Sequence, residues 1–248
     1  MKRLCLCLVF FALACFVPAP TQAAPTLSVC VNGLEQCVNL SDFIRTTDGK
    51  TYVFNIENLT LPGEVATLTS LSGVYNSDPF ITFTASTTNL VAGPTTFAFL
   101  FGTPIVPSLY NVATSTGGVS VTNGVSGTTT VATSFIYPSY ISGYGTLGFV
   151  PTNLGVDLGT LPCIAGPGAP FTVTNVCGQG STSNTFFPAF YDNLEALLTY
   201  SQNDIASGAA WTGAVTLNFD ASLIPEPALL SLFGVAIATL GVRRRLRR

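Results

Sequence analysis

WTGAVTLNF, residues 211–219, is the segment that decides the fold, because its apolar residues recur at every second position. One parity holds Trp211, Val215, Leu217 and Phe219, and the other holds Thr212, Ala214, Thr216 and Asn218. A period of two places alternate side chains on opposite faces of an extended strand. The segment therefore predicts a β-strand with one buried face.

The same alternation appears in earlier segments of the chain. It is carried by Tyr52, Phe54 and Ile56, and again by Ile81, Phe83 and Ala85. Turn dipeptides such as Asp48-Gly49 and Pro62-Gly63 separate these runs. Many short strands within about 200 residues predict an all-β fold, a single antiparallel β-sandwich over residues 24–220.

One segment shows a helical period instead. Phe190, Leu194, Leu197 and Leu198 fall at positions i, i+4, i+7 and i+8. This spacing predicts one short helix or turn near residues 188–199.

The N-terminus has the three parts of a secretory signal peptide. Lys2 and Arg3 precede an apolar run, Leu4–Val17, which is too short to span a bilayer. Small residues follow, and we expect cleavage after Ala23, so that residues 1–23 are removed. A lipoprotein signal with Cys15 as the lipidated residue is the alternative.

Export changes how the cysteines are interpreted. Cys5, Cys7 and Cys15 leave with the signal, and the remaining four predict two disulfides in an oxidising compartment. Four cysteines allow three connectivities, and short separations favour Cys30 with Cys37 and Cys163 with Cys177. The first pair requires a four-residue hairpin loop, Asn32–Glu35. A zinc site is disfavoured because the chain has no CxxC motif and no histidine, so no metal site is predicted.

The charge of the exported domain restricts its partners. Between the signal and residue 224 there are only two basic residues, Arg45 and Lys50, against eleven acidic ones, a net charge of −9. Such acidity excludes nucleic acid as a partner. Neutral glycans, cations and other proteins remain open.

Catalysis is not expected. The absence of histidine removes the commonest general base and every Ser-His-Asp or Cys-His arrangement. Scattered carboxylates leave a glycoside hydrolase as a weak alternative, and no cofactor motif is present.

Binding of a glycan or of calcium is a second functional class. Tyr137, Tyr140 and Tyr144 lie in an uncharged region and could form a sugar-stacking patch, although buried tyrosines are the commoner arrangement. Asn76-Ser77-Asp78 and Asp192-Asn193 could contribute oxygen ligands to calcium, without the spacing of a known calcium loop.

The C-terminal residues 221–248 combine three signals. Pro225, Glu226 and Pro227 precede an uninterrupted apolar run, residues 228–242. Five arginines follow within residues 243–248, namely Arg243, Arg244, Arg245, Arg247 and Arg248.

The apolar run is nearly long enough to cross a membrane as a helix. Fifteen helical residues span about 22 Å, short of the ~30 Å hydrocarbon core, and inclusion of residues 223–227 brings the helix near the required length. The arginines act as a stop signal and place the C-terminus in the cytoplasm. The alternative is a buried C-terminal helix with a solvated basic end, which an all-round apolar helix disfavours.

This order of motif, transmembrane helix and basic end resembles the PEP-CTERM sorting tail of exported Gram-negative bacterial proteins. The resemblance covers only the final 25 residues and the signal peptide. It implies recognition of Pro225, Glu226 and Pro227 by an exosortase-type processing enzyme and a transient anchor in the inner membrane. It also implies delivery to the cell surface or the extracellular space, as a structural or adhesive component associated with exopolysaccharide or biofilm matrix.

Overall fold

The computed structural model describes residues 24–33, 36–123, 128–134, 138–148, 150–159, 161–167, 173–220 and 222. Within them the chain forms thirteen strands, and every strand pair is antiparallel. The strands are β1 (Thr26–Val31), β2 (Cys37–Asn39), β3 (Arg45–Thr46), β4 (Thr51–Thr60), β5 (Ala66–Asn76), β6 (Phe80–Asn89), β7 (Thr95–Asn123), β8 (Thr129–Ala132), β9 (Ile141–Leu147), β10 (Val150–Asn153), β11 (Cys163–Ala165), β12 (Val173–Gln202) and β13 (Gly208–Asn218). Two short 3₁₀ helices, Ser41–Phe43 and Pro62–Glu64, lie between strands.

The segment that opened the sequence analysis forms most of β13. Trp211, Val215 and Leu217 are buried, as the alternation predicts. Gly213 occupies the inward position between Trp211 and Val215, where the ring of Phe83 takes the space that a side chain would fill. Phe219 shares this parity but lies beyond the end of β13, and its side chain is 46% exposed.

Two long strands, β7 and β12, join the two layers of the fold. The first half of β7, residues 95–104, pairs with β1 and with the second half of β12. The second half, residues 112–122, pairs with β13 and with the first half of β12. Register shifts between Thr185 and Ala189 and between Tyr191 and Asn193 mark the bend.

Each layer is completed by shorter strands. One runs in the order β10-β9-β12-β7-β1-β2, and the other in the order β12-β7-β13-β6-β5-β4-β3. The rings of Phe83 and Phe101, one from each layer, stack with centroids 4.4 Å apart. Trp211 likewise packs on Tyr200 of the opposite layer at 5.4 Å. These contacts form one hydrophobic core, as expected for a single sandwich.

Both predicted disulfides are confirmed. Cys30 and Cys37 are directly opposite each other in the β1–β2 ladder, and Cys163 is bonded to Cys177. The Val31 N–H donates to the Gln36 carbonyl at 3.1 Å, which closes the predicted four-residue loop.

The prediction of a short helix near residues 188–199 is wrong, because this segment is part of β12. Leu194, Ala196 and Leu198 are buried with the period of a strand. Leu197 and Thr199 on the other face are buried as well, and the sequence therefore shows no alternation of apolar and polar residues here.

Several predictions fall outside the described residues. They are the signal peptide with its cleavage after Ala23, the Pro225-Glu226-Pro227 motif, the apolar run 228–242 and the arginines from Arg243 to Arg248. Among the residues that the structure describes, no helix is long and apolar enough to cross a membrane.

The sandwich has two distinct ends. The bend of β7 and β12 lies at one of them, which we call the bend end, together with the β5–β6 turn and the end of β13. The β6–β7 turn lies at the opposite end, about 30 Å away along the ten residues of β6. The bend end therefore carries several loops on a rigid scaffold, which is where binding sites commonly lie.

Candidate functional site

The predicted tyrosine patch is not formed as a three-residue surface. Tyr140 is fully buried, donates to the carbonyls of Val131 and Leu161 within 3.0 Å, and packs on Trp211 with ring centroids 4.7 Å apart. Its proposed stacking role is therefore wrong, and burial raises its pKa to about 12. Tyr144 is half-buried in β9, and Tyr137 lies outside the described residues.

A polar cleft of about 630 Å³ opens at the bend end of the sandwich, and we call it the end cleft. Its volume lies within the range of small-molecule sites, ~300–1,000 Å³. Four parts of the chain line it: the turn before β4, the β5–β6 turn, the bend of β7 and the end of β13. The residues are Asp48, Lys50, Thr51, Asn76, Ser77, Asp78, Pro79, Val106, Ser108, Tyr110, Leu217, Asn218 and Phe219.

The first part of the cleft lining is the turn before β4, and hydrogen bonds to the Asp48 carboxylate fix its conformation. One carboxylate oxygen accepts the backbone N–H groups of Lys50 and Thr51 at 2.8 and 2.5 Å, and the other accepts the Thr51 hydroxyl at 3.1 Å. The hydrogen bonds from the Thr51 and Lys50 backbones hold the pKa of Asp48 below its usual value. Asp48 is thus occupied in fixing the turn and stays ionised.

The second part of the lining, the β5–β6 turn, is tied to the first and to β7. The Ser77 N–H donates to the Lys50 carbonyl at 3.0 Å, and the Val106 N–H donates to the Ser77 carbonyl at 3.1 Å. Asn76 accepts the backbone N–H of Asp78 at 2.8 Å, which is an Asx turn. The cleft is therefore preformed by hydrogen bonds of its own loops.

Four polar side chains in the cleft are available to a ligand. Asp78, Lys50, Ser108 and Asn218 have exposed side chains that make no hydrogen bond to any residue described in the structure. They supply an anionic acceptor, a cationic donor, a hydroxyl and an amide. The exposed Phe219 ring adds an apolar surface beside them.

Tyr110 forms the floor of the cleft. Its hydroxyl donates to the Val106 carbonyl at 2.6 Å, which fixes the bend of β7. Burial, and to a smaller extent the nearby Asp78 carboxylate, raise the pKa of Tyr110. Tyr110 and Asp78 thus both line the cleft and interact electrostatically there.

The described residues contain no group of three or more histidine, cysteine, aspartate or glutamate side chains that could hold a metal ion. At the predicted calcium contributors, the Asn76 side-chain oxygen is already engaged by the Asp78 backbone. Asp192 accepts the backbone N–H of Gly148 at 3.1 Å. The first contact forms a local turn, and the second links the β9–β10 hairpin to β12.

Sequence reasoning missed the end cleft. The alternation predicts a buried Phe219, and the sequence offers Asp78 only as a calcium ligand or as one of several scattered carboxylates. The available signal was the break after residue 219, where the apolar alternation stops at Asp220. No local pattern links that position to residues 48–50 or 76–79, which reach it only through the sheet.

No protein-family model matches the chain, and no curated protein matches it. Among solved structures, it is similar to the carbohydrate-binding module TmCBM61 in complex with β-1,4-galactotriose, with 7% identity, a TM-score of 0.24 and coverage of 68% of this chain and 88% of that one. It is also similar to the mannan-recognising module TmCBM27, with 9% identity, a TM-score of 0.25 and coverage of 55% and 72%. A third is the enzymatically active domain of a bacteriophage tailspike protein, with 12% identity, a TM-score of 0.20 and coverage of 79% and 20%. TM-scores this low carry no argument about function.

Proposed function

We propose that this protein is an exported, non-catalytic surface component that binds a neutral glycan in the end cleft and thereby associates with exopolysaccharide. The observation that carries the proposal is the composition of the cleft. An exposed aromatic ring, Phe219, lines the cleft together with Asp78, Lys50, Ser108 and Asn218, whose side chains make no hydrogen bond within the described part of the chain.

This combination suits a sugar for chemical reasons. A pyranose ring has an apolar face of C–H groups that can pack on an aromatic ring, and a rim of hydroxyls that both donate and accept hydrogen bonds. A carboxylate accepts strongly from such hydroxyls, and an ammonium or amide donates to them. The cleft holds two carboxylates and one ammonium, so that an acidic glycan would be repelled.

The state of Asp48 argues against its use in glycoside hydrolysis. Glycoside hydrolysis needs one carboxylic acid whose pKa is raised, so that it can protonate the leaving group. Asp48 has its pKa lowered and both oxygens occupied by its own turn. Asp48 is therefore unsuited to the role of general acid.

Delivery to the exterior is proposed from the sequence together with the disulfides. Both cysteine pairs are oxidised in the structure, which suits an extracellular compartment. The C-terminal tail would act as a sorting signal. An exosortase-type enzyme would recognise Pro225-Glu226-Pro227, and residues 228–242 would anchor the precursor in the inner membrane. Glu226→Ala should then block processing and leave the longer form in the membrane fraction, and unchanged processing would remove this assignment.

The test of glycan binding is a glycan array probed with the exported chain, residues 24–248, held in detergent. Phe219→Ala should weaken the selected interaction about tenfold, the loss expected from one stacking contact. Phe43→Ala is the matched control, since Phe43 is equally exposed at 45% but lies outside the cleft lining.

A second pair of variants tests the polar side of the cleft. Asp78→Asn keeps the shape but removes the charge, and should weaken binding as well. Asp42→Asn, at an exposed position outside the cleft lining, should leave binding unchanged. If the protein bound no glycan on the array, the result would favour a purely structural role in the matrix instead.

A further inference from the structure

A cluster of exposed apolar side chains lies beside the end cleft, and we call it the apolar corner. It consists of Val106 and Leu109 in the bend of β7 and Phe187 and Phe190 in the bend of β12. Leu109 and Phe190 are direct partners across the ladder, and each is about half exposed. Phe187 lies in the register shift between Thr185 and Ala189, and 88% of its surface faces solvent.

The β9–β10 turn extends the corner. Leu147 and Val150, partners across this hairpin, are 53% and 69% exposed. The hairpin is held against the bend by the Gly148 N–H, which donates to the Asp192 carboxylate at 3.1 Å. Six exposed apolar side chains on adjoining bends form a patch that a soluble surface rarely carries without a binding partner.

The chain leaves the domain at this same corner. Asp220, just beyond β13, is clamped to Asn111 of β7: the Asp220 N–H donates to the Asn111 side-chain oxygen at 2.7 Å, and the Asn111 amide donates to the Asp220 carbonyl at 2.8 Å. Asn111 is two residues beyond Leu109 on the same strand. The exit of the chain is therefore fixed beside the apolar corner.

The length of chain beyond this exit limits how the domain can face a bilayer. At most seven residues, 221–227, separate Asp220 from the membrane helix, and fewer do so if residues 223–227 belong to the helix. Fully extended, seven residues reach about 25 Å. A domain of this size is more than 30 Å across, so its opposite end cannot be the one that meets the membrane.

We infer that the apolar corner docks into the interface of the lipid bilayer while the tail anchors the chain. Its side chains protrude from bends, and of them only Val106 also lines the end cleft, which suits insertion among lipid headgroups. Asp192 and Asp220 flank the corner, so the preferred surface is a zwitterionic one and not an anionic one. The inference rests on the predicted anchor, and it is independent of glycan binding.

The experiment uses the exported chain, residues 24–248, reconstituted through its own tail into phosphatidylcholine vesicles. Its four cysteines are paired in the two disulfides, so a new cysteine can be labelled selectively. An environment-sensitive fluorophore is placed at Phe187→Cys in the corner. Leu90→Cys, exposed in the turn at the opposite end, is the matched control.

Docking predicts that a lipid-borne quencher acts about threefold more strongly on the label at 187 than on the label at 90. Aqueous iodide should show the reverse preference. Adding Leu109→Ser and Phe190→Ser to the 187-labelled chain should abolish the difference, while leaving the core intact because both side chains are exposed.

Two results would overturn the inference. Equal lipid quenching at both positions would show that the corner does not approach the bilayer. A label at 187 that is shielded from both quenchers would show that a protein surface, such as a second copy of this chain, covers the corner.

Discussion

Thr87 is the centre of a buried hydrogen-bond chain that joins the two layers of the sandwich. The Tyr200 hydroxyl lies 2.7 Å from the Thr87 hydroxyl, which donates to the Gln202 side-chain oxygen at 3.2 Å. The Gln202 amide then donates to the Ser207 carbonyl at 2.6 Å. All four residues are fully buried, so no solvent can replace a lost partner.

Thr87→Val keeps the shape of the side chain and removes the hydroxyl. Two buried groups, the Tyr200 hydroxyl and the Gln202 oxygen, then lose the partner that Thr87 supplied. Each unsatisfied group costs about 1–3 kcal/mol, so the free energy of unfolding should fall by about 2–6 kcal/mol. This is a large share of the ~5–15 kcal/mol typical of a domain.

The assay is guanidinium unfolding of the exported domain with both disulfides oxidised, followed by the fluorescence of Trp211. It is the sole tryptophan of the chain and is fully buried. Tyr200→Phe alone should also destabilise. Thr87→Val combined with Tyr200→Phe should cost less than the sum of the two single changes, because it removes both ends of one hydrogen bond. A Thr87→Val domain within about 0.5 kcal/mol of the wild type would refute the reasoning.

Two further predictions concern packing and pH. Gly213→Ala should lower the free energy of unfolding by about 1–3 kcal/mol, because the new Cβ would clash with the side chains of Phe83 and Ile141. Gly178→Ala is the control in the same unfolding assay, because there is open space around Gly178. Burial raises the pKa of Tyr140 to about 12, and stability should therefore fall as the pH rises from about 10, where the unfolded chain begins to ionise. Tyr140→Phe should flatten this alkaline slope in a series of unfolding curves, and an unchanged slope would count against the assignment.

The fold class was predictable because period-two patterning is a local property of the chain. The inward positions of β13, such as Trp211 and Val215, follow directly from it. The disulfides were predictable from separation alone, since Cys30 and Cys37 can meet across a short hairpin. The prediction of a helix at residues 188–199 was wrong. Both faces of β12 are buried there, so polar residues do not alternate with apolar ones as they do in a strand with one exposed face.

The candidate site was harder to predict for a physical reason. Phe219 has the parity of a core residue, and its exposure results from the end of the sheet and not from its own sequence context. Asp78 and Lys50 lie in separate turns that approach each other only because β4 and β5 are paired strands. For Tyr140 the uncharged neighbours left both a surface patch and burial open, and the packing against Trp211 places it in the core.

The all-β class, the cysteine pairs, the acidic charge and the predicted export signals follow from composition and from neighbours along the chain. Tertiary structure alone decided which end of the sandwich carries the end cleft and the apolar corner. Both arise where β7 and β12 bend between layers, and that bend brings residues near 50, 78, 106, 190 and 219 to one place. Such long-range proximity depends on strand pairing across the whole sheet, and no local pattern in the sequence encodes it.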